Sequence, residues 1–160
     1  METLNLIFLS LHNIIRWIVL VLGIVLVVRS FLGWFKKWEY QERDKKLTPF
    51  YAGVFDLQIL LGIILFFTKG WGGVLMNAPG DVMKTAALRF FVVEHWTMMI
   101  LAAVLIHIGS AKIKKTNESL KKYKHAAIWF TISLLLMLAS IPWPGMSAAR
   151  PLFRFFSLVF

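Results

Sequence analysis

Two histidines, His12 and His95, are the residues in this chain that are best suited to chemistry. Each lies roughly 9–11 Å inside the end of an apolar segment if that segment is a helix, at about 1.5 Å rise per residue. An imidazole at that depth in a bilayer costs free energy unless it has a partner, so it indicates a functional site. Two imidazoles on facing helices could hold the two axial positions of a haem iron, and the alternative is two unrelated polar contacts.

Charged residues accompany both histidines. Arg16 follows His12 by four residues and shares its helix face, and Arg89 stands at the outer rim of the segment that carries His95. Either guanidinium could bind the propionate carboxylates of a haem. Glu94 is adjacent to His95 and points about 100° away from it on a helix, so it is predicted to carry protons or to pair with an arginine. The alternatives for this outer group are a structural Arg16–Glu94 ion pair with two hydrogen-bonded histidines, or a site for another ligand.

A second, inner group consists of Asp56, His107 and His125. His107 follows His95 by twelve residues, about 18 Å along a helix, so a second haem between His107 and His125 is one interpretation. Asp56 and Gln58 could instead form a polar site with His107, for protons or for a quinol hydroxyl. His125 follows a lysine, and the simplest interpretation of it is an interfacial residue.

Composition identifies the class of protein that must position these groups. Of 160 residues, 59% are hydrophobic, which a soluble domain of this size could not bury. The absence of cysteine excludes disulfides, cysteine-ligated zinc, iron–sulfur clusters and covalent haem attachment. The net charge of +10 indicates anionic lipid and not nucleic acid, since it is concentrated in short loops between apolar segments. No hydrolytic or nucleotide-binding motif is present.

The hydropathy pattern predicts an all-α integral membrane protein, a four-helix bundle in one domain over residues 1–160. Four segments are close to the ~20 residues that a membrane span needs. They cover residues 6–28, 50–67, 90–108 and 126–141, with Pro49 expected at the start of the second helix. Residues 29–46 and 112–124 carry six basic residues each, out of 18 in the chain. The positive-inside rule then places both termini outside the cytoplasm.

Two segments outside the spans are predicted to lie at the outer surface. Residues 68–88 form the longest connection and are rich in glycine, so they either cover a site or form a mobile loop. Trp71 within them is expected to anchor at the interface. The tail, residues 150–160, alternates arginine with apolar residues and is too short to span, so it is expected to lie along the membrane surface.

Several short motifs resemble a family of small four-helix bacterial membrane proteins labelled cytochrome b or cytochrome b-like, over nearly the whole chain. They are Leu11-His12 with Arg16-Trp17, Leu57-Gln58 with Leu61-Gly62, Arg89-Phe90, Glu94-His95 with Met98-Met99, Ile108-Gly109-Ser110-Ala111-Lys112, Ala127-Ile128-Trp129-Phe130-Thr131-Ile132, Ser140-Ile141-Pro142-Trp143-Pro144, and Arg150-Pro151 with Arg154. The resemblance implies a bundle that binds haem b, with His12 and His95 at positions similar to family histidines. Relatives often have a histidine where this chain has Asp56, and a carboxylate is a poor axial ligand. His107 and His125 do not match family positions.

Together these features predict a membrane protein that binds at least one haem b and transfers electrons, between a membrane quinol and a redox partner. A redox protein is favoured over a self-contained enzyme. One alternative is a cofactor-free accessory subunit of a larger respiratory or other membrane complex. A third is a membrane oxidase that acts on a lipid or a porphyrin-like substrate, by architectural analogy alone.

Overall fold

The computed structural model describes residues 2–155 and 158–159. Its helices and strands, in chain order, are α1 (Glu2–Phe35), α2 (Glu42–Thr68), α3 (Trp71–Asn77), α4 (Pro79–Lys84), α5 (Ala86–Arg89), a π-helix (Phe90–Glu94), α6 (His95–Lys115), α7 (Ser119–Ala139), β1 (Arg154–Phe155) and β2 (Leu158–Val159). The predicted all-α class is confirmed, because the strands are only a two-residue antiparallel pairing in the tail.

The four long helices pack side by side around one core. Helix α1 contacts α2 and α7, and α6 contacts the same two helices, so each helix has two neighbours. The largest fully buried side chains in the core are aromatic, and Tyr51 contacts both Phe55 and Phe130 edge to face. Such pairs add about 0.5–1.5 kcal/mol beyond the area that they bury.

Three of the helical segments are long and apolar enough to cross a membrane: Glu2–Phe35, Glu42–Thr68 and Ala86–Lys115. The protein is therefore a multi-pass membrane protein whose apolar helix faces contact lipid. Many large apolar side chains on these helices point outward, as they do when the surroundings are hydrocarbon. These helices extend beyond the predicted spans, because polar residues continue the backbone hydrogen bonding past the apolar stretch.

The predicted start of the second helix was wrong. Helix α2 begins at Glu42, and Pro49 lies inside it. The earlier start is stabilised at its first turn, where the Gln41 backbone N–H donates to Asp44 Oδ2 at 3.0 Å. This contact satisfies a backbone donor that the helix itself leaves free. Pro49 is the eighth residue of α2, so it lies past the first turn and removes one i→i−4 backbone hydrogen bond of the helix.

The two lysine- and arginine-rich connections lie together at one end of the molecule. The Tyr40 backbone N–H donates to Ser119 Oγ at 3.0 Å, and Ser119 Oγ donates to Glu39 Oε2 at 2.9 Å. Burial raises the pKa of Tyr40, whose hydroxyl lies 3.1 Å from Thr48 Oγ1. The charge pattern predicted that the two loops share a side, and these bonds hold them there.

Close packing at this end provides a test of the fold. A Cβ atom on Gly33 would lie 2.6 Å from three ring atoms of Tyr123, whereas a Cβ on Gly53 would meet nothing within 4 Å. We expect Gly33→Ala to lower the free energy of unfolding by about 1–3 kcal/mol, because the buried Tyr123 ring must move. Gly53→Ala should raise it by up to about 1 kcal/mol through helix propensity. Thermal unfolding in mild detergent measures both, and equal effects would contradict the packing of α1 on α7.

At the other end, the tail folds back onto α1. The Arg154 backbone N–H donates to Asn13 Oδ1 at 3.1 Å, and Phe153 stacks on Trp17 with ring centroids 4.9 Å apart. Residues 156, 157 and 160 of the predicted interfacial tail lie outside the described residues. The predicted loop over residues 68–88 contains the short helices α3 and α4, and Trp71 stacks on Phe91 at 6.0 Å.

Candidate functional site: a histidine pair between four helices

His12 and His95 face each other between α1 and the start of α6. Their ring centroids are 6.4 Å apart, and the ring planes are inclined by 70°. A metal bound between two imidazoles needs ring centres about 6 Å apart, since each metal–nitrogen bond is about 2 Å. The observed separation is therefore one that a single metal ion could bridge.

The His95 ring is held by a backbone carbonyl. Its Nδ1 lies 2.7 Å from the carbonyl oxygen of Ser140, just past the end of α7. Because a carbonyl only accepts, Nδ1 carries the proton and donates it, and the lone pair is left on Nε2. Metal-binding histidines usually donate their other ring N–H in this way, which fixes the tautomer and the ring orientation. His95 is thus in the protonation form of a metal ligand.

A π-helix sets the direction in which His95 points. Residues Phe90–Glu94 form this wider turn directly before His95. One such turn inserts a residue into the helical register, so every later side chain is rotated relative to the earlier ones. The rings of Phe90 and Phe91 pack beside His95, with centroids at 5.8 and 6.4 Å. The insertion therefore aims the imidazole inward between aromatic side chains.

Helix α2 completes the surroundings of His12. The Gln58 amide nitrogen donates to the His12 carbonyl oxygen at 3.0 Å and lies 3.3 Å from His12 Nε2. Gly62 stands one turn further along α2, where an added Cβ would lie 3.4 Å from the His12 ring. The absence of a side chain at Gly62 leaves room for the imidazole against the α2 backbone.

Three buried polar atoms near this pair have no hydrogen-bond partner among the described residues. They are His12 Nδ1, Gln58 Oε1 and Arg16 Nε. An unpaired buried polar atom costs about 1–3 kcal/mol, and native structures leave few of them. Their concentration around one histidine pair marks a place where a bound group would supply the missing contacts.

Arg16 lies close to the pair and is tied to the folded-back tail. Its Nη2 donates to the Leu152 carbonyl oxygen at 2.5 Å, and the Trp17 indole N–H donates to the same oxygen at 3.0 Å. The Arg16–Glu94 ion pair considered above does not form. Glu94 accepts instead from Arg89 Nε at 2.7 Å, and Arg89 also donates to the Met83 carbonyl at 2.9 Å. Among the described residues Arg16 therefore has no carboxylate partner beside the histidines, while the charge of Arg89 is balanced by Glu94.

The inner residues are not gathered into one group. His107 Nε2 lies 2.9 Å from Asp56 Oδ1, across the contact between α6 and α2. Gln58 faces His12 and not this pair. His125 lies near the start of α7, and its ring has no contact with His107 in the part of the chain that the structure describes. Of the arrangements considered for the inner residues, the structure shows the polar pairing of Asp56 with His107.

The donor set fits a haem, which receives four ligands from its own porphyrin and takes one or two from the protein. No group of three or more histidine or acidic side chains in residues 2–155 and 158–159 could hold a metal ion, so a protein-only metal centre has no support there. No protein-family model, curated protein or solved structure matches this chain. The interpretation of the site therefore depends on its geometry.

Sequence reasoning missed several residues of the site. The missed features act through the backbone: the Ser140 carbonyl, the Leu152 carbonyl and the π-helix before His95. Side-chain identity does not reveal backbone contacts. A signal was available for α2, where Gln58 and Gly62 stand four residues apart and so share a helix face.

Proposed function

We propose that this chain is a four-span protein of the bacterial inner membrane that binds at least one haem b and transfers electrons between a membrane quinol and a redox partner. His12 and His95 would be the axial ligands. The observation that carries the proposal is the His95 ring, which donates Nδ1–H to Ser140 and faces His12 at 6.4 Å. A bound haem supplies one-electron chemistry at its iron.

The chain's own residues would bind and tune that group. His95 is oriented by the Ser140 carbonyl, which also makes its free nitrogen more basic. Arg16 supplies a positive charge for a propionate, since no acidic partner neutralises it within the described residues. Phe90 and Phe91 exclude water next to His95, and a dry environment strengthens every charge interaction inside it.

His12 would have to change its contacts with Gln58. Gln58 lies 3.3 Å from His12 Nε2, so a metal at that nitrogen requires the Gln58 amide to turn away. Both Gln58 contacts come from its amide nitrogen, so turning that nitrogen away from His12 Nε2 would also change its bond to the His12 carbonyl.

The proposed orientation follows from charge. Helix α7, which lies beside α1 and α6, would form the fourth span, and the connections at residues 36–41 and 116–118 would face the cytoplasm. Both termini would then lie on the outer side, with the histidine pair in the outer half of the bilayer. A C-terminal reporter that is active only in the cytoplasm would contradict this orientation.

An optical spectrum tests the haem proposal. Protein purified from cells supplied with haem should show a Soret band, with the sharp visible bands of a six-coordinate low-spin iron on reduction. Two imidazole ligands produce this spin state because they are strong-field ligands on both faces. A colourless preparation would refute the proposal, and it would favour the accessory subunit or the oxidase of porphyrin-like substrates.

A further inference from the structure

The pair formed by Asp56 and His107 lies on the surface of the helices that faces away from the core. Both residues belong to helical segments that are apolar enough to cross a membrane, Asp56 within the predicted span 50–67 and His107 at the inner end of the predicted span 90–108. Even so, 50% of the Asp56 side chain and 56% of the His107 side chain are exposed. The two residues bond to each other across α2 and α6, and each retains further hydrogen-bonding atoms at the surface.

Hydrocarbon cannot satisfy those atoms. Ionisable side chains within membrane spans are costly, and they normally face the interior of the bundle or a water-filled space. The surface around this pair is apolar: Leu60 is one turn from Asp56 and 54% exposed, and Val104 is one turn from His107 and 46% exposed. A polar pair in such a setting indicates that a further molecule covers it in the membrane.

The charge and shape of this surface constrain the occupant. Asp56 and His107 share one hydrogen bond with each other, and a charged occupant would add a charge that hydrocarbon does not stabilise. The occupant must therefore be neutral, apolar over most of its surface, and able to donate or accept a hydrogen bond. Gly53, three residues before Asp56, shares its helix face and has open space where a Cβ would be, so no side chain there blocks access to the pair.

The position between α2 and α6 also favours a small molecule that approaches from the bilayer. Of the four contacts that close the ring of long helices, the one between α2 and α6 is the least extensive. A flat ring could therefore enter at this boundary and reach both polar side chains.

We propose that Asp56 and His107 form a binding site for the head group of a lipid-soluble hydroquinone. The hydroquinone hydroxyl donates a hydrogen bond to the Asp56 carboxylate, and the free ring nitrogen of His107 is available to a second oxygen. The apolar chain of the ligand lies along Leu60 and Val104. The choice of a hydroquinone among neutral amphiphiles rests on the proposed electron-transfer function, because a hydroquinone is a membrane-soluble electron donor.

Photolabelling tests this site without any need for haem. The probe is an azido-substituted short-chain benzoquinone, added to the full chain in lipid nanodiscs and mapped by mass spectrometry after irradiation. We expect label within residues 53–60 and 104–111, with competition by an unmodified short-chain hydroquinone. The double variant Asp56→Leu/His107→Leu should reduce the labelling about tenfold, which corresponds to about 1.4 kcal/mol of binding free energy.

A matched control removes an exposed polar group elsewhere on α6. Thr97→Leu changes a hydroxyl that bonds within its own helix, so labelling should be unchanged. Label spread evenly over the apolar surface, or label that the double variant retains in full, would overturn the proposal. The leucine variants replace exposed residues, and thermal unfolding of each variant verifies that it remains folded.

A second copy of the chain is the competing occupant, and the absence of cysteine makes it easy to detect. Val104→Cys should stay monomeric under mild oxidation if a small molecule covers the pair. A disulfide dimer with Val104→Cys, but not with Leu135→Cys on the exposed face of α7, would show that two copies meet here and would overturn the hydroquinone site. Labelling of a colourless protein would support this inference and refute the haem proposal. Haem absorbance without labelling at the pair would support the haem proposal and refute this inference.

Discussion

Replacing His95 with alanine is expected to abolish the low-spin spectrum of the haem-loaded protein. The variant removes one of the two imidazoles proposed to hold the iron, so haem that remains bound through His12 would be five-coordinate and high-spin. We expect haem affinity to fall by more than about 100-fold, because loss of a residue that merely orients a ligand already costs about 10–100-fold. The measurement is the reduced and oxidised optical spectrum during titration of apoprotein with haem.

His125→Ala is the matched control for this experiment, since it also removes one imidazole but lies on a different helix, near the start of α7. Its spectrum should equal that of the parent protein. A spectrum that His125→Ala changes and His95→Ala leaves intact would refute the outer site and favour a haem near the cytoplasmic end. Circular dichroism of both variants separates loss of ligand from loss of fold.

The second large effect is expected at Asp44, which neutralises Arg29 at the opposite end of the bundle. Arg29 donates to both carboxylate oxygens of Asp44, and the Tyr123 hydroxyl donates to Asp44 Oδ2 at 2.8 Å. Asp44 also accepts from the Gln41 backbone, so one carboxylate joins α1, α2 and α7. Asp44→Asn leaves Arg29 without a counter-charge and should lower the free energy of unfolding by about 3–5 kcal/mol.

Two further variants show whether the loss comes from the unpaired charge. Glu42→Gln removes an exposed carboxylate that pairs with Lys45 one turn away, and it should change stability by no more than about 0.5 kcal/mol. The double variant Arg29→Met/Asp44→Leu removes both charges and should recover much of the loss. Thermal unfolding in detergent measures these losses. Equal losses for Asp44→Asn and Glu42→Gln would contradict the role of Asp44 in joining α1, α2 and α7.

Much of the fold could be predicted because membrane spans depend on local composition. An apolar stretch of about 20 residues must satisfy its own backbone, so it forms a helix whatever it packs against. The helix ends were harder to predict, as Pro49 shows, because the true start of α2 depends on one contact of Asp44 with Gln41. Helix boundaries depend on single polar contacts that a hydropathy average does not detect.

The candidate site was predictable only in its residue types. His12 and His95 stand out in the sequence because imidazoles are costly in a bilayer. The sequence did not predict how far apart the rings would be, and it left open whether Glu94 would pair with Arg16 or with Arg89, which is the partner that the structure shows. Those outcomes depend on helix rotation, and the π-helix before His95 changes that rotation.

By itself the sequence determined the class of the protein, the apolar helices, the shared side of the two basic loops and the histidines worth examining. Each depends on residue type or on short spacing along the chain. The tertiary structure alone decided the distance between His12 and His95, the carbonyl that orients His95, and the pairing of Asp56 with His107. These contacts join residues more than 40 positions apart, and their geometry follows from how helices pack and rotate, which no local pattern encodes.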